Sequence, residues 1–108
     1  MATIKDWNIE ALTGYKPIST FYTDFSIADR FGAAAIKDTY RRAFDSWKSD
    51  YKMITEFVMV LNWKCWQHYD EGNTEISALY SKLYYKADEW CWTNLKGEEL
   101  DYYTRTTD

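Results

Sequence analysis

Four glycines and one proline are few for a chain of 108 residues. A fold of many strands needs many turns, so that scarcity disfavours a β architecture and favours helices. Only two cysteines are present, which excludes a disulfide-stapled scaffold. With no basic flank and apolar run at the start of the sequence, they are expected to be free thiols in a reducing, cytoplasmic setting. The longest fully apolar run, Phe57–Leu61, is far too short to cross a bilayer, so no membrane partner is expected. Net charge is −4 at neutral pH, which lacks the basic balance of a nucleic-acid binder.

What is abundant is rings. Six Trp, ten Tyr and five Phe make 19% of the chain aromatic. A core of this size does not need so many, so some Tyr and Trp rings are expected at the surface, where each can bury a face and keep its polar atom wet. Charge is also uneven: residues 1–69 hold 8 acids and 9 bases, whereas residues 70–108 hold 9 acids and 4 bases. The C-terminal third is the acidic part.

The length fits a single domain, residues 1–108, with an all-α fold: a compact bundle of three long helices and one or two short N-terminal ones. Residues 1–25 read as a segment covering the bundle. Within it Asp6–Leu12 is a short helix stopped by Gly14 and Pro17, and Ile18–Phe25 is either extended or a lead-in to the next helix. Ser26–Phe31 gives one or two helical turns, with Gly32 as the stop. Ile36, Tyr40, Ala43, Phe44 and Trp47 then mark one face of a helix from about Ala33 to Lys48. No Gly or Pro separates it from the next segment, but Ser49-Asp50 offers an N-cap, and a break there avoids a helix unusually long for a small domain. From about Tyr51 to Tyr69, apolar residues fall on two stripes: Ile54, Phe57, Val58, Leu61 and Cys65, then Met59, Trp63 and Trp66. That marks the central helix. A turn at residues 70–73 leads to a last long helix carrying Ile76, Leu79, Tyr80, Leu83, Ala87, Trp90 and Cys91 in helical spacing, ended by Gly97. Glu98–Tyr103 adds at most a turn, and residues 104–108 are a polar tail.

The stretch "SIADRFGAAAIKDTYRRAF" looks like half of a helix-turn-helix, with Ala28 four residues before Gly32. The DNA-reading face would be Lys37, Arg41, Arg42 and Lys48. Asp38 and Asp45 lie three or four residues from those cations, at pairing distance on a helix. A phosphate would have to displace them, so a DNA-binding regulator built on residues 26–48 is the alternative and not the leading reading.

Catalytic constellations are missing. His68 and Asp70 are two residues apart and diverge on a helix, and no nucleophile elbow or phosphate-cradling glycine loop occurs. If the helices flanking residues 71–73 are antiparallel, Cys65 lies opposite residue 79 and Cys91 opposite residue 53. At about 1.5 Å per residue, the thiols are then roughly 18 Å apart along the axis, too far for a shared metal or a disulfide. The sequence reading therefore expects two buried thiols, a half-exposed histidine, no catalytic residue, no metal and no cofactor. The off-stripe rings Trp63, Trp66, Tyr84, Tyr85, Trp92, Tyr102 and Tyr103 are the candidate partner-binding residues. Beside the acidic third they would suit a basic protein partner, and closure of the patch by a homodimer is the other occupant considered.

The phrases "FSIADRFGAAAIKDTYRRAFDSWKSDYK", "TEFVMVLNWKCWQHYD" and "NLKGEELDYYTRTTD" resemble a group of short hypothetical proteins carried by phages and conjugative elements of Gram-positive gut bacteria, over residues 17–108. The resemblance implies a mobile-element context. Small acidic proteins in that setting often inhibit host defences such as CRISPR or restriction nucleases. It transfers no site residue.

Overall fold

A computed structural model describes residues 16–107, and among them the chain is all-α. The elements are α1 (Lys16–Asp29), α2 (Ala33–Trp47), α3 (Tyr51–Asp70), α4 (Thr74–Asn94) and α5 (Glu98–Thr107). The expected helix at Asp6–Leu12 lies outside the described residues, as does Trp7. Helices α3 and α4 form the central hairpin, and α1, α2 and α5 also pack on α3.

The segment read as extended or a lead-in is helical. Phe21, Phe25 and Ala28 are buried at i, i+4 and i+7, so packing of that stripe overrides the weak helix preference of the β-branched residues around it. Pro17 falls in the first turn, where a missing N–H loses no intrahelical bond. Ser26–Asp29 is therefore the end of a helix of 14 residues and not a short helix of its own. Gly32 (φ 96°) then reverses the chain in a conformation that L side chains rarely adopt.

The break after α2 is where the sequence places it. The Asp50 side chain accepts from the backbone N–H groups of Lys52 and Met53 at 3.1 and 3.2 Å, which starts α3. Helix α3 is buried on almost every side, from Ile54 through Val58 and Leu61 to His68. In its first half Phe57, fully buried, meets the rings of Phe21, Phe25, Tyr40 and Phe44 at centroid separations of 5.3 to 6.5 Å. Such edge and tilted contacts add to the transfer energy of the ring, about 1.5–3 kcal/mol for a fully buried Phe.

The C-terminal tail is also corrected. Residues 104–107 continue α5, which carries Glu98, Glu99 and Asp101 in its first turn and Arg105 in its last, both favourable to the helix dipole. Thr107 donates to the Tyr103 carbonyl at 2.7 Å, and Arg105 pairs with Asp101 at 3.3 Å. Burial of Tyr103 anchors the helix, and its hydroxyl donates to Asp88 on α4.

Candidate functional site

The most concentrated chemistry sits inside the fold, where α1, α3 and α4 meet near the hairpin turn. Asp29 ends α1, Lys64 and His68 stand one turn apart on α3, and Tyr80 faces them from α4. The Lys64 ammonium lies 2.6 Å from Asp29 Oδ2 and donates to Ser26 Oγ at 3.2 Å. His68 Nε2 is 2.9 Å from the same carboxylate oxygen, and the Tyr80 hydroxyl donates to Asp29 Oδ1. The imidazole stacks on the Tyr80 ring at 5.5 Å, and the ammonium sits 5.0 Å from the Tyr22 ring centroid. Lys64 is 1% exposed, His68 7% and Tyr80 fully buried. Burial, then the hydrogen bond to Asp29 and that residue's negative charge, push the Tyr80 hydroxyl far above its ordinary range.

The expectation of a half-exposed His68 is corrected by this arrangement. The histidine is buried because Asp29 satisfies Nε2, while Nδ1 faces Asn73 Nδ2 at 3.5 Å and Glu71 at 3.8 Å. A buried ammonium is tolerable only with a counter-charge, and Asp29 supplies it. The arrangement pins α1 to the α3–α4 hairpin in one register. The sequence reading missed it, although a signal was present. Asp29 stands four residues after Phe25, and Lys64 and His68 stand three and seven after Leu61. Opposite charges therefore fall on two apolar stripes.

The seven rings proposed for partner binding do not form one patch. Trp63 and Tyr103 are corrected to core positions, at 7% and 1% exposure. Trp63 stacks on Tyr22 of α1 at 4.7 Å, so α1 does cover part of the ring surplus. Tyr103 is held under α4 by Asp88. Tyr102 is half-buried against Tyr51 at 5.4 Å, and Tyr84 is half-buried against Tyr85 at 5.1 Å. Burial and then Asp88 raise the Tyr84 hydroxyl above its usual range. Trp66, Tyr85 and Trp92 are exposed, at 48%, 64% and 54%. Trp66 pairs with exposed Tyr69 on α3, whereas Tyr85 and Trp92 share the outer face of α4. Phe31, beside Gly32, is also exposed, and the sequence reading had placed it only in a helical turn.

On α2, the expected charge pairing occurs. Asp38 meets Arg41 at 2.5 Å and Arg42 at 3.0 Å, and Asp45 lies 3.8 Å from Lys48. Lys37 makes no ion pair among the described residues. The two thiols lie apart. Cys65 Sγ is 3.5 Å from Ser77 Oγ, while Cys91 is fully buried beside Tyr103 and Asp88. Burial and then Asp88 push the Cys91 thiol up to about 12 against a partial opposing effect of Tyr103, so it is inert near neutral pH. Among the described residues no group of His, Cys, Asp and Glu could hold a metal ion, and no helix is long and apolar enough to cross a membrane.

Comparison with protein-family models, with curated proteins and with solved structures returns no match for this chain.

Proposed function

We propose that this chain is a non-catalytic binding protein whose contact surface is the outer face of α4. The observation that carries the reading is the row Tyr85, Glu89, Trp92. Two rings more than half exposed stand about two helical turns apart, with an exposed carboxylate between them. Rings of this kind anchor interfaces because they bury a large area at little entropic cost. The surrounding acidic third selects a basic partner surface by charge. The mobile-element resemblance gives the reading its concrete form: inhibition, in the host cytoplasm, of a defence nuclease such as a CRISPR or restriction enzyme. Nucleases present cationic grooves for phosphate, and an aromatic, acidic ridge is complementary to such a groove.

The test is affinity capture from host lysate with the wild type, Tyr85→Ala, Trp92→Ala and the double variant. A partner retained at low salt and weakened by added salt is expected. The double variant, still fully helical, loses it by about tenfold or more. If the folded double variant keeps every partner, the rings are only surface. The competing DNA-binding reading has less support, because Arg41 and Arg42 both close on Asp38. A salt titration on duplex DNA separates the two, with a flat response expected.

A further inference from the structure

A second surface adjoins the ring row on α4, with Lys82 and Lys86 each three residues before Tyr85 and Glu89. Between α2 and α4 runs an open groove of about 880 Å³. Its floor is apolar: Tyr40, Phe44, Leu79, Leu83 and Trp90. Phe44 meets Trp90 edge-to-face at 5.2 Å, and the Lys86 ammonium lies 5.7 Å from the Tyr40 ring centroid. Both contacts pair residues at the same offset, so α2 and α4 run parallel along the groove. Lys37 and Arg41 line the α2 wall of this groove, and Lys82 and Lys86 line its α4 wall. Cations therefore stand in i, i+4 rows on both walls, with the apolar floor between them. Lys37, Lys82 and Lys86 form no ion pair among the described residues. Only Asp38 and Asp45, both on the α2 wall, interrupt the positive rim.

A chain of net charge −4 has placed Lys37, Lys82 and Lys86, none of them in an ion pair among the described residues, around an apolar cleft. The geometry points to an acidic amphipathic helix of a partner protein as the occupant. The walls extend from Ala34 to Asp45 and from Leu79 to Trp90, about 16 Å at the helical rise, which fits about three turns of a helix lying lengthwise. A helix with an apolar stripe would set that stripe on the rings, and Asp or Glu along the flank facing α4 would meet Lys82 and Lys86. A nucleic-acid backbone would leave the apolar floor unused. A small amphipathic anion would need an enclosed pocket, and this groove is open along its top.

The test uses a fluorescently labelled synthetic helix of about 14 residues, with leucines at i, i+3, i+7 and i+10 and glutamates along one flank. Fluorescence anisotropy is read against the full chain. Saturable binding is expected, weakened about tenfold or more by Lys82→Glu/Lys86→Glu and by raised salt, and unchanged by Trp92→Ala. A scrambled peptide of the same composition and a lysine-flanked version should fail to bind. Circular dichroism confirms that the charge-reversed variant stays folded. Equal binding to wild type and charge-reversed variant, or to intact and scrambled peptide, overturns the proposal. So does displacement of the peptide by dodecanoate or duplex DNA at lower concentration than unlabelled peptide. Because Trp92→Ala leaves this binding intact, failure here is distinct from failure of the ring-row reading.

Discussion

The two ends of the α3–α4 hairpin are held together by different forces. At the turn end, Asp29, Lys64, His68 and Tyr80 form a buried charged cluster. At the open end the contacts are rings: Phe57 among Phe21, Tyr40 and Phe44, then Phe44 on Trp90. The open end also contains a buried charge, but a poorly matched one. Glu56 is 7% exposed, and its Oε2 has no hydrogen-bond partner among the described residues. Burial, and secondarily Asp50, raise its carboxyl above the usual range. Charge inside this protein is matched at the turn end and unmatched at the open end, where burial without a partner costs stability.

Phe57→Ala removes the ring hub and is expected to cost about 4 kcal/mol by urea unfolding, the largest effect. Asp29→Asn should cost about 3 kcal/mol because it strands the Lys64 ammonium. The pair Asp29→Asn/Lys64→Met should recover most of that loss, since the uncompensated charge is then gone. A single Asp29→Asn variant within about 0.5 kcal/mol of wild type would show that the cluster contributes nothing beyond packing.

Glu56→Met tests the open end in the opposite direction, with an expected gain of about 1 kcal/mol at neutral pH. The pH dependence carries the sign. Because the folded carboxyl titrates above the unfolded one, the folded state binds the extra proton, and the wild type loses stability as pH rises from the ordinary carboxylate range through the raised folded value. The advantage of Glu56→Met should therefore shrink as pH falls through that window, and a pH-independent difference would argue against a buried charge. Smallest of all, Trp92→Ala should shift stability by less than about 0.5 kcal/mol, as expected for a half-exposed side chain away from the core.

Much of the fold was legible because it depends on local signals. The Asp50 cap, the turn at residues 70–73 and the two-sided burial of α3 follow from residue spacing alone. Helix α1 was not legible in the same way. Its β-branched, aromatic residues score as strand until Phe21, Phe25 and Ala28 are aligned at helical spacing, and only contact with α3 decides the matter. That miss hid the charged cluster, since Asp29 joins an apolar stripe only if the helix is continuous. The candidate ring surface was legible by composition but not by position. Trp63 and Tyr103 are buried by partners distant in sequence, Tyr22 and Asp88, that no local pattern reveals. The basic groove was hidden for the same reason. Lys37 and Arg41 share a groove with Lys82 and Lys86 only once α2 and α4 lie side by side.

If recognition rests on the exposed rings of α4, it is separable from the stability that the buried cluster supplies. Measuring partner affinity and thermal stability together, for Tyr85→Ala/Trp92→Ala and for His68→Gln, tests that division most directly. The ring variant should bind at least about tenfold more weakly with an unchanged melting temperature, and His68→Gln should melt earlier yet bind as wild type while folded. Full affinity in the ring variant, with loss of binding in folded His68→Gln, would contradict it.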